Sequence, residues 1–249
     1  MNFINSLHCE LLKIKGSALL WVSIAGSIVL SMVFTLRFIY LRFHIDLWTE
    51  GNAWERLYLQ NARPFAGFLL PIGVILICSL ITQIEYRNNN WKQLHTTPQK
   101  YYTIFLAKFT ALLIVSFIVF FFFNVGVLIN GIVPNLIASG LFPRDAIPFQ
   151  FLLEQTIKSF ISILPIVGLQ YLLSLQYKNF IVAIGAGLVL YVGTMPMSRV
   201  DFSFLSPYSY ALHYFDQNFN DHHYSRAVVY FFLLFIISFF LYIKKKEKG

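Results

Sequence analysis

Charged residues are scarce in this sequence. Asp, Glu, Lys and Arg together make up 12% of its 249 residues, whereas hydrophobic residues make up 57% and aromatic residues 18%. A typical soluble domain carries about 25% charged residues. The mean hydropathy of +0.65 points the same way. This composition excludes an ordinary water-soluble domain, and we predict a membrane protein.

Nucleotide-binding and hydrolase motifs are also missing. The sequence contains no G-x-x-x-x-G-K-[ST], G-x-G-x-x-G, H-E-x-x-H, G-x-S-x-G or C-x-x-C pattern. The chain is therefore not predicted to bind and hydrolyse ATP by itself through the usual motif. We assign it no catalytic and no cofactor-binding residue.

Metal-ligating and disulfide patterns are equally sparse. The nearest approach to a metal cluster is His213, Asp216, Asp221, His222 and His223. These residues show no helical i, i+4 pair of histidines and no carboxylate at a recognised spacing, so a solvated loop is favoured over a metal site. The two cysteines, Cys9 and Cys78, do not indicate a disulfide, because one precedes the first apolar run and the other lies inside the second.

The hydrophobic residues are concentrated in long runs without charge. A hydrocarbon core of about 30 Å takes roughly 20 helical residues to cross, and the runs lack the alternation of barrel strands. The third run, residues 109–143, is too long for one span. We expect its helix to end near Asn130, Gly131 and Pro134, followed by a re-entrant or surface segment. We predict one all-α domain, residues 1–249, whose six spans cover about 17–41, 64–84, 101–130, 152–177, 179–197 and 226–243.

The distribution of positive charge predicts the orientation of these spans. With the amino terminus inside, the cytoplasmic segments hold eleven basic and three acidic residues, and the outer segments hold eight of each, so the whole excess of +8 lies on one face. Positive residues favour the cytoplasmic side, which predicts that both termini are cytoplasmic. The basic balance indicates contact with anionic lipid and gives no reason to propose nucleic acid.

Residues 1–16 have the pattern of an amphipathic helix. Their apolar residues Phe3, Leu7, Leu11 and Ile14 recur at helical spacing, with Asn5, Ser6, Glu10 and Lys13 between them. We expect this helix to lie in the inner membrane interface. The alternative is a simple extension of the first span, but Gly16 and Ser17 favour a break.

A polar segment, residues 85–100, separates the second and third spans. Asn88 to Asn90 can cap a short helix, Trp91, Leu94, His95 and Pro98 share one face of it, and Thr97 with Pro98 can start the third span. A soluble partner could hold such a helix in a groove. An ordinary turn with an interfacial tryptophan explains the residues equally well.

Polar residues inside the spans have two interpretations. Asn124 and Gln170 either line a pathway or form hydrogen bonds between helices. Ala183 and Gly187 have the small-x-x-x-small spacing of close helix packing. Glu154 and Lys158 stand one helical turn apart and indicate a surface ion pair. No buried charge marks an ion route, which argues against an autonomous ion-coupled carrier or channel.

Three stretches carry a family resemblance: ELLKIKGSALLW (10–21), EYRNNNWKQLHTTP (85–98) and YYTIFLAK (101–108). Together with six spans they resemble an ABC-2 type transporter permease, most of all the permeases of lantibiotic-immunity exporters. The resemblance implies that residues 1–16 form an elbow helix and that 85–100 form a coupling helix docking on a separate ATPase subunit, which binds ATP and Mg. The matching residues, expected at the ATPase interface, are Glu85, Arg87, Trp91, Lys92, Leu94 and Pro98.

The resemblance also implies a biological setting. Six spans are half of such an exporter's membrane part, so a homodimer or a pairing with a second permease is expected, in a bacterial cell membrane. A cationic antimicrobial peptide is the expected cargo, which Trp48, Trp54 and Tyr58 could contact, although interfacial anchoring is commoner for such residues. The alternatives are a permease for lipid, drug or sodium, and a membrane sensor or anchor that transports nothing.

Overall fold

The computed structural model describes residues 2–41, 52–86, 100–137, 145–177, 179–197, 201–214 and 221–247, and these residues form helices and short connections without any strand. Six helices are long and apolar enough to cross a membrane. The predicted all-α fold with six spans is therefore confirmed. The helices are α1 (Phe3–Lys15), α2 (Ala18–Leu41), α3 (Ala53–Pro64), α4 (Leu70–Tyr86), α5 (Tyr101–Ile137), α6 (Phe149–Gln176), α7 (Phe180–Met197), α8 (Ser209–His213) and α9 (Asp221–Glu247).

The spans pack around α4, α5 and α6. Helix α2 packs along α5, α9 along α6, and α7 against α4. Much of the contact is aromatic: Phe65 stacks on Phe123 with ring centres 4.0 Å apart, and Phe105 lies 5.3 Å from both Tyr171 and Phe235. Lipid tails are as apolar as these side chains, so close van der Waals contact holds the spans together instead of the hydrophobic effect. We call the bundle end that holds Tyr86 and Tyr101 the α1 end, because α1 lies there.

The second span begins earlier than predicted. It was expected from about residue 64, but helix α3 starts at Ala53 and continues through a π-helical turn, Phe65–Leu69, into α4. The Asn52 side chain caps the start by accepting a hydrogen bond from the Trp54 amide at 2.9 Å. The turn accommodates Pro64, which has no backbone N–H to donate.

This early start buries two residues for which the sequence left open contact with cargo and the commoner interfacial anchoring. Trp54 and Tyr58 are 0% and 1% exposed, and the indole Nε1 of Trp54 donates to the Asp145 carbonyl at 3.1 Å. Neither contact with an amphipathic peptide nor interfacial anchoring fits this conformation, because their rings pack inside the protein. Trp48 lies outside the described residues.

The third span also runs further than predicted. Helix α5 passes Asn130, Gly131 and Pro134 without a break and ends at Ile137. The Asn130 side chain forms hydrogen bonds with two neighbouring helices. It accepts from Thr35 on α2 and donates to Asn61 on α3 at 2.7 Å. Gly131 leaves room for the Trp54 ring. Residues with a helix-ending signature therefore serve as helix contacts. Most of the segment expected to follow this helix, 138–144, lies outside the described residues.

Residues 201–214 fold back into the bundle after α7. The Ser206 hydroxyl lies 2.7 Å from that of Thr194 on α7, and Tyr208, which is fully buried, donates to Gln170 on α6 at 3.2 Å. Tyr214 then contacts Gln155 near the start of α6. The loop before the last span was expected to be solvated; its described part, residues 201–214, is instead a re-entrant segment, because its tyrosines fill space between the spans.

The contact between Gly131 and Trp54 gives a test of the packing. In Gly131→Ala the added Cβ would lie 2.5 Å from Cη2 of the buried Trp54 ring. Overpacking of this kind lowers the free energy of unfolding by about 1–3 kcal/mol. The better helix propensity of alanine raises it by only about 1 kcal/mol. We expect a lower melting temperature for the detergent-solubilised protein, measured by intrinsic fluorescence.

Gly73→Ala is the matched control, because no atom lies within 4 Å of a Cβ built there. It should keep or slightly raise the melting temperature. A Gly131→Ala protein as stable as the wild type would show that the Trp54 ring is not held against α5.

Candidate functional site

The predicted docking segment connects two adjacent helices at the α1 end. Helix α4 ends at Tyr86 and α5 begins at Tyr101, and the two helices contact each other. Glu85 belongs to the last turn of α4. The other expected interface residues, Arg87, Trp91, Lys92, Leu94 and Pro98, lie outside the described residues.

Helix α1 lies against the first turns of α5, with only a small contact to α2. Its buried residues are Ser6, Glu10 and Ile14, spaced i, i+4 and i+8. The buried face is therefore not the expected apolar face, which is centred near Leu7. The helix is rotated so that its more polar side faces α5, with the Glu10 carboxylate in the middle of the contact. Ile4 and Leu12 are 75% and 54% exposed, which places apolar side chains on the outer surface of the helix.

Glu10 pairs with Lys108 of α5 in a buried ion pair. The Lys108 Nζ donates to Glu10 Oε2 at 3.0 Å, and the Lys13 Nζ donates to the other carboxylate oxygen at 2.5 Å. Glu10 is 6% and Lys108 1% exposed. Lys108 lies seven residues into α5, about 10 Å along the helix from its start. One carboxylate thus joins the amino-terminal helix to the helix that follows the docking segment.

The two lysines determine the charge state of Glu10. Burial by itself raises the pKa of the Glu10 carboxyl, but the ammonium groups of Lys108 and Lys13 together outweigh burial and hold the pKa below its usual value. Glu10 is therefore ionised at neutral pH. A buried pair of this kind has to offset a desolvation cost of several kcal/mol for each ion, which demands good geometry.

Sequence reasoning counted Glu10 and Lys108 as cytoplasmic charges and as members of the resembling stretches, but it did not pair them. Two signals were available: the glutamate opens the first stretch that carried the family resemblance, and the lysine closes the last of them. Lys108 is also the single basic residue between Tyr101 and Ile137. A lysine within a long apolar helix calls for an acidic partner, but the sequence does not say which one.

Gln170 joins three parts of the bundle. Its Nε2 donates to the Ala183 carbonyl of α7 at 2.9 Å and to the Ser79 hydroxyl of α4 at 3.2 Å, while its Oε1 accepts from Tyr208. Gly187 faces the same amide: a Cβ built there would lie 3.0 Å from Gln170 Cδ. Ala183 and Gly187 thus allow α7 to approach closely, and Gln170 lies inside a packed junction rather than on a surface.

Asn124 lies in a groove between α5 and α6. Its Nδ2 donates to the Thr156 hydroxyl at 3.0 Å and to the Phe120 carbonyl at 2.8 Å. The groove has a volume of about 450 Å³ and is lined by aromatic and aliphatic side chains, among them Phe117, Phe121 and Phe160. Asn124 and Thr156 are its polar members, so the groove combines an apolar wall with one amide and one hydroxyl.

A second cavity lies between α2, α4 and α5. It measures about 130 Å³, and its wall combines apolar residues with Ser23, Ser27 and Ser116. Each of these hydroxyls donates to the carbonyl four residues earlier in its own helix. The serines therefore present oxygens that are already hydrogen-bonded, in a largely apolar space.

Two histidines near the carboxyl-terminal span lie tilted against an aromatic ring. Phe204 has ring centres 5.2 Å from His213 and 4.4 Å from His223. Among the residues that the structure describes, no group of three or more His, Cys, Asp or Glu is arranged to hold a metal ion. Asp216 lies outside them. Near the start of α6, Glu154 and Lys158 form an ion pair, and both are partly solvent-exposed.

The Glu10 carboxylate gives a pH-dependent prediction. Its pKa in the folded protein lies below the usual 4.5, so its stabilising effect is complete above about pH 4.5 and is lost as the pH falls through the folded pKa. We expect the melting temperature of the wild type to fall in that acidic range more steeply than that of Glu10→Gln. Glu154→Gln, which alters an exposed pair, should follow the wild-type curve. Parallel curves for wild type and Glu10→Gln would contradict the assignment.

Comparison with known proteins identifies the family of this chain. No curated protein and no solved structure matches the chain. A family model described as ABC-2 family transporter protein matches residues 6–194, which is more than half of the chain and extends from α1 almost to the end of α7. Members of this family are multi-pass transport subunits that work with an ABC ATPase and usually a second permease. The chain therefore belongs to the ABC-2 transporter family, as a membrane-spanning subunit and not as the ATPase.

Proposed function

We propose that this chain is the permease of an ATP-driven exporter in a bacterial cell membrane, with both termini in the cytoplasm, and that it expels a lantibiotic-like antimicrobial peptide. The family match carries the transport part of this proposal. The sequence resemblance in residues 10–21, 85–98 and 101–108 supports the peptide cargo. The positive charge of the segments at the α1 end supports the orientation.

Residues 85–100 are the proposed docking helix for the ATPase subunit. They join α4 to α5, so a displacement of this segment reaches two neighbouring spans directly. ATP and Mg, bound by the partner ATPases, would close those subunits and move the segment with them. The spans would then shift between inward-facing and outward-facing packings. A second copy or a related permease completes the pathway.

The two cavities favour an amphipathic cargo over an ion. Their walls are apolar side chains with serine, asparagine and threonine, and among the described residues no charged side chain lines either of them. An ion entering such a space would lose its hydration without a charged replacement, which is very costly. A peptide with apolar side chains and a few amides would instead find matching surfaces, including Asn124 and Thr156 in the groove between α5 and α6.

The docking assignment predicts the effect of a double change. Trp91→Ala with Leu94→Ala removes the apolar anchors of the proposed face, and each such anchor typically contributes about 2 kcal/mol or more. We expect the affinity for the ATPase subunit to fall at least about thirtyfold, the equivalent of one such anchor, while membrane insertion is unchanged. Co-purification in mild detergent and the ATP turnover of the complex measure this.

Tyr177→Ala is the control, because Tyr177 is an exposed aromatic residue at the α1 end, outside the segment. It should leave association intact. If association and ATP turnover survived the double change, the docking face would be wrong. If no nucleotide-binding subunit co-purified with the wild-type chain, the exporter proposal itself would fail.

The cargo assignment predicts a growth phenotype. A sensitive bacterial strain that produces this permease together with its ATPase subunit should tolerate a higher concentration of a cationic lantibiotic than the parent strain. Tolerance of sodium and of small neutral drugs should not change. Strains producing either subunit alone are the controls and should stay sensitive. Protection against drugs or sodium without protection against the peptide would contradict the cargo and leave ATPase docking intact.

A further inference from the structure

The contact between α1 and α5 places charge where stability alone does not require it. Glu10 occupies the middle of the buried face of α1, while the apolar residues Ile4 and Leu12 of the same helix face outward. Replacing a buried ion pair by apolar residues of similar volume is often neutral or stabilising. An apolar contact would therefore hold α1 against α5 at least as well.

A charge pair differs from an apolar contact in how sharply it fixes position. Apolar faces can slide or rotate past one another with little loss of contact, whereas moving Glu10 by one turn along α5 would separate two buried charges. The Lys108 Nζ lies 3.0 Å from one carboxylate oxygen and the Lys13 Nζ 2.5 Å from the other. Lys13 belongs to α1 itself and orients the carboxylate, while Lys108 belongs to α5, so the contact with Lys108 favours one register of α1 on α5.

The position of the pair connects it to the docking segment. Lys108 lies about 10 Å along α5 from the helix start. That start, Tyr101, comes just after residues 87–99 in the chain. Glu10 belongs to α1, which is followed after Gly16 and Ser17 by α2. Helix α2 in turn packs along the length of α5. A movement that enters α5 at its start therefore reaches α1 through the Glu10–Lys108 pair before it reaches the outer half of the bundle.

We infer that Glu10 and Lys108 are positioning residues for transport: they lock α1 to the start of α5 in one register, so that a displacement of the docking segment moves both helices together. The inference rests on the proposed function for its link to ATP. Its structural half, the fixed register, stands on the ion pair alone. A variant without the pair leaves the ATPase site on the partner subunit intact. The complex should therefore still hydrolyse ATP but export less cargo for each ATP.

The first test measures the register without any ATPase. Cys9 is an exposed free thiol on α1, and Cys78 is fully buried, so a spin label reacts with Cys9 and with a second cysteine introduced as Tyr102→Cys on α5. We expect a narrow distance distribution between the labels in the otherwise wild-type chain. Glu10→Leu with Lys108→Met should broaden it while keeping the melting temperature within a few degrees. Lys108→Arg, which keeps the charge, should leave it narrow.

The second test measures coupling in the complete complex. For Glu10→Leu with Lys108→Met, ATP turnover should persist while the amount of lantibiotic exported per ATP falls between about twofold and thirtyfold, the range of measured coupling effects. Lys108→Arg should retain most of the wild-type ratio. Glu154→Leu with Lys158→Met removes an exposed ion pair far from the α1 end and should change nothing, which makes it the matched control.

The outcomes separate the inference from the proposed function. An unchanged distance distribution in the stable apolar double variant would overturn the fixed register. A broadened distribution with an unchanged amount of cargo exported per ATP would overturn the role in coupling. A wild-type complex that exports no peptide in response to ATP would overturn the proposed function, and the label distances would still decide whether the ion pair sets the register.

Discussion

Polar groups inside this bundle depend on partners within the protein, because hydrocarbon offers no water to bond with. Three groups of polar contacts, at three levels along the length of the bundle, meet that constraint. Glu10 and Lys108 pair at the α1 end, Gln170 bonds α4, α7 and the re-entrant segment within the bundle, and Asn130 joins α2 to α3 at the opposite end. Each level ties together helices that are distant in sequence, and together they determine which helices are neighbours.

Aromatic packing fills the space between these polar levels. Phe105 and Phe109 of α5 meet Phe235 of α9 with ring centres 5.3 and 4.8 Å apart, and Tyr58 contacts Phe123 edge to face at 5.9 Å. Such contacts provide attraction but little direction, since rings can tilt and exchange neighbours. The hydrogen bonds and the ion pair provide the direction. A transporter that alternates between two packings needs both: an apolar bulk that can repack, and a few contacts that define each state.

The groove and the ion pair lie at different depths of the same helix. Helix α5 carries Lys108 near its start and Asn124, in the groove, sixteen residues further on, about 24 Å along the axis. If ATP acts at the docking segment, α5 is the shortest rigid connection between that segment and a surface of suitable chemistry for an amphipathic peptide. Helix α5 is therefore the structural element that joins the two halves of the proposed mechanism, and both Lys108 and Asn124 lie within the predicted span 101–130.

The sequence by itself determined the all-α class, the six spans and the amphipathic helix at the amino terminus, because these depend on composition and on periodicity within a short window. Tertiary structure alone decided that α3 extends the second span from Ala53, that Trp54 and Tyr58 are buried, and that α1 turns Glu10 inward. Each of these depends on a distant partner: Asp145 lies 91 residues from Trp54 and Lys108 lies 98 residues from Glu10. Local patterns favour a helix end or an exposed charge at such positions. Only the folded neighbour supplies the hydrogen bond or counter-charge that reverses the preference.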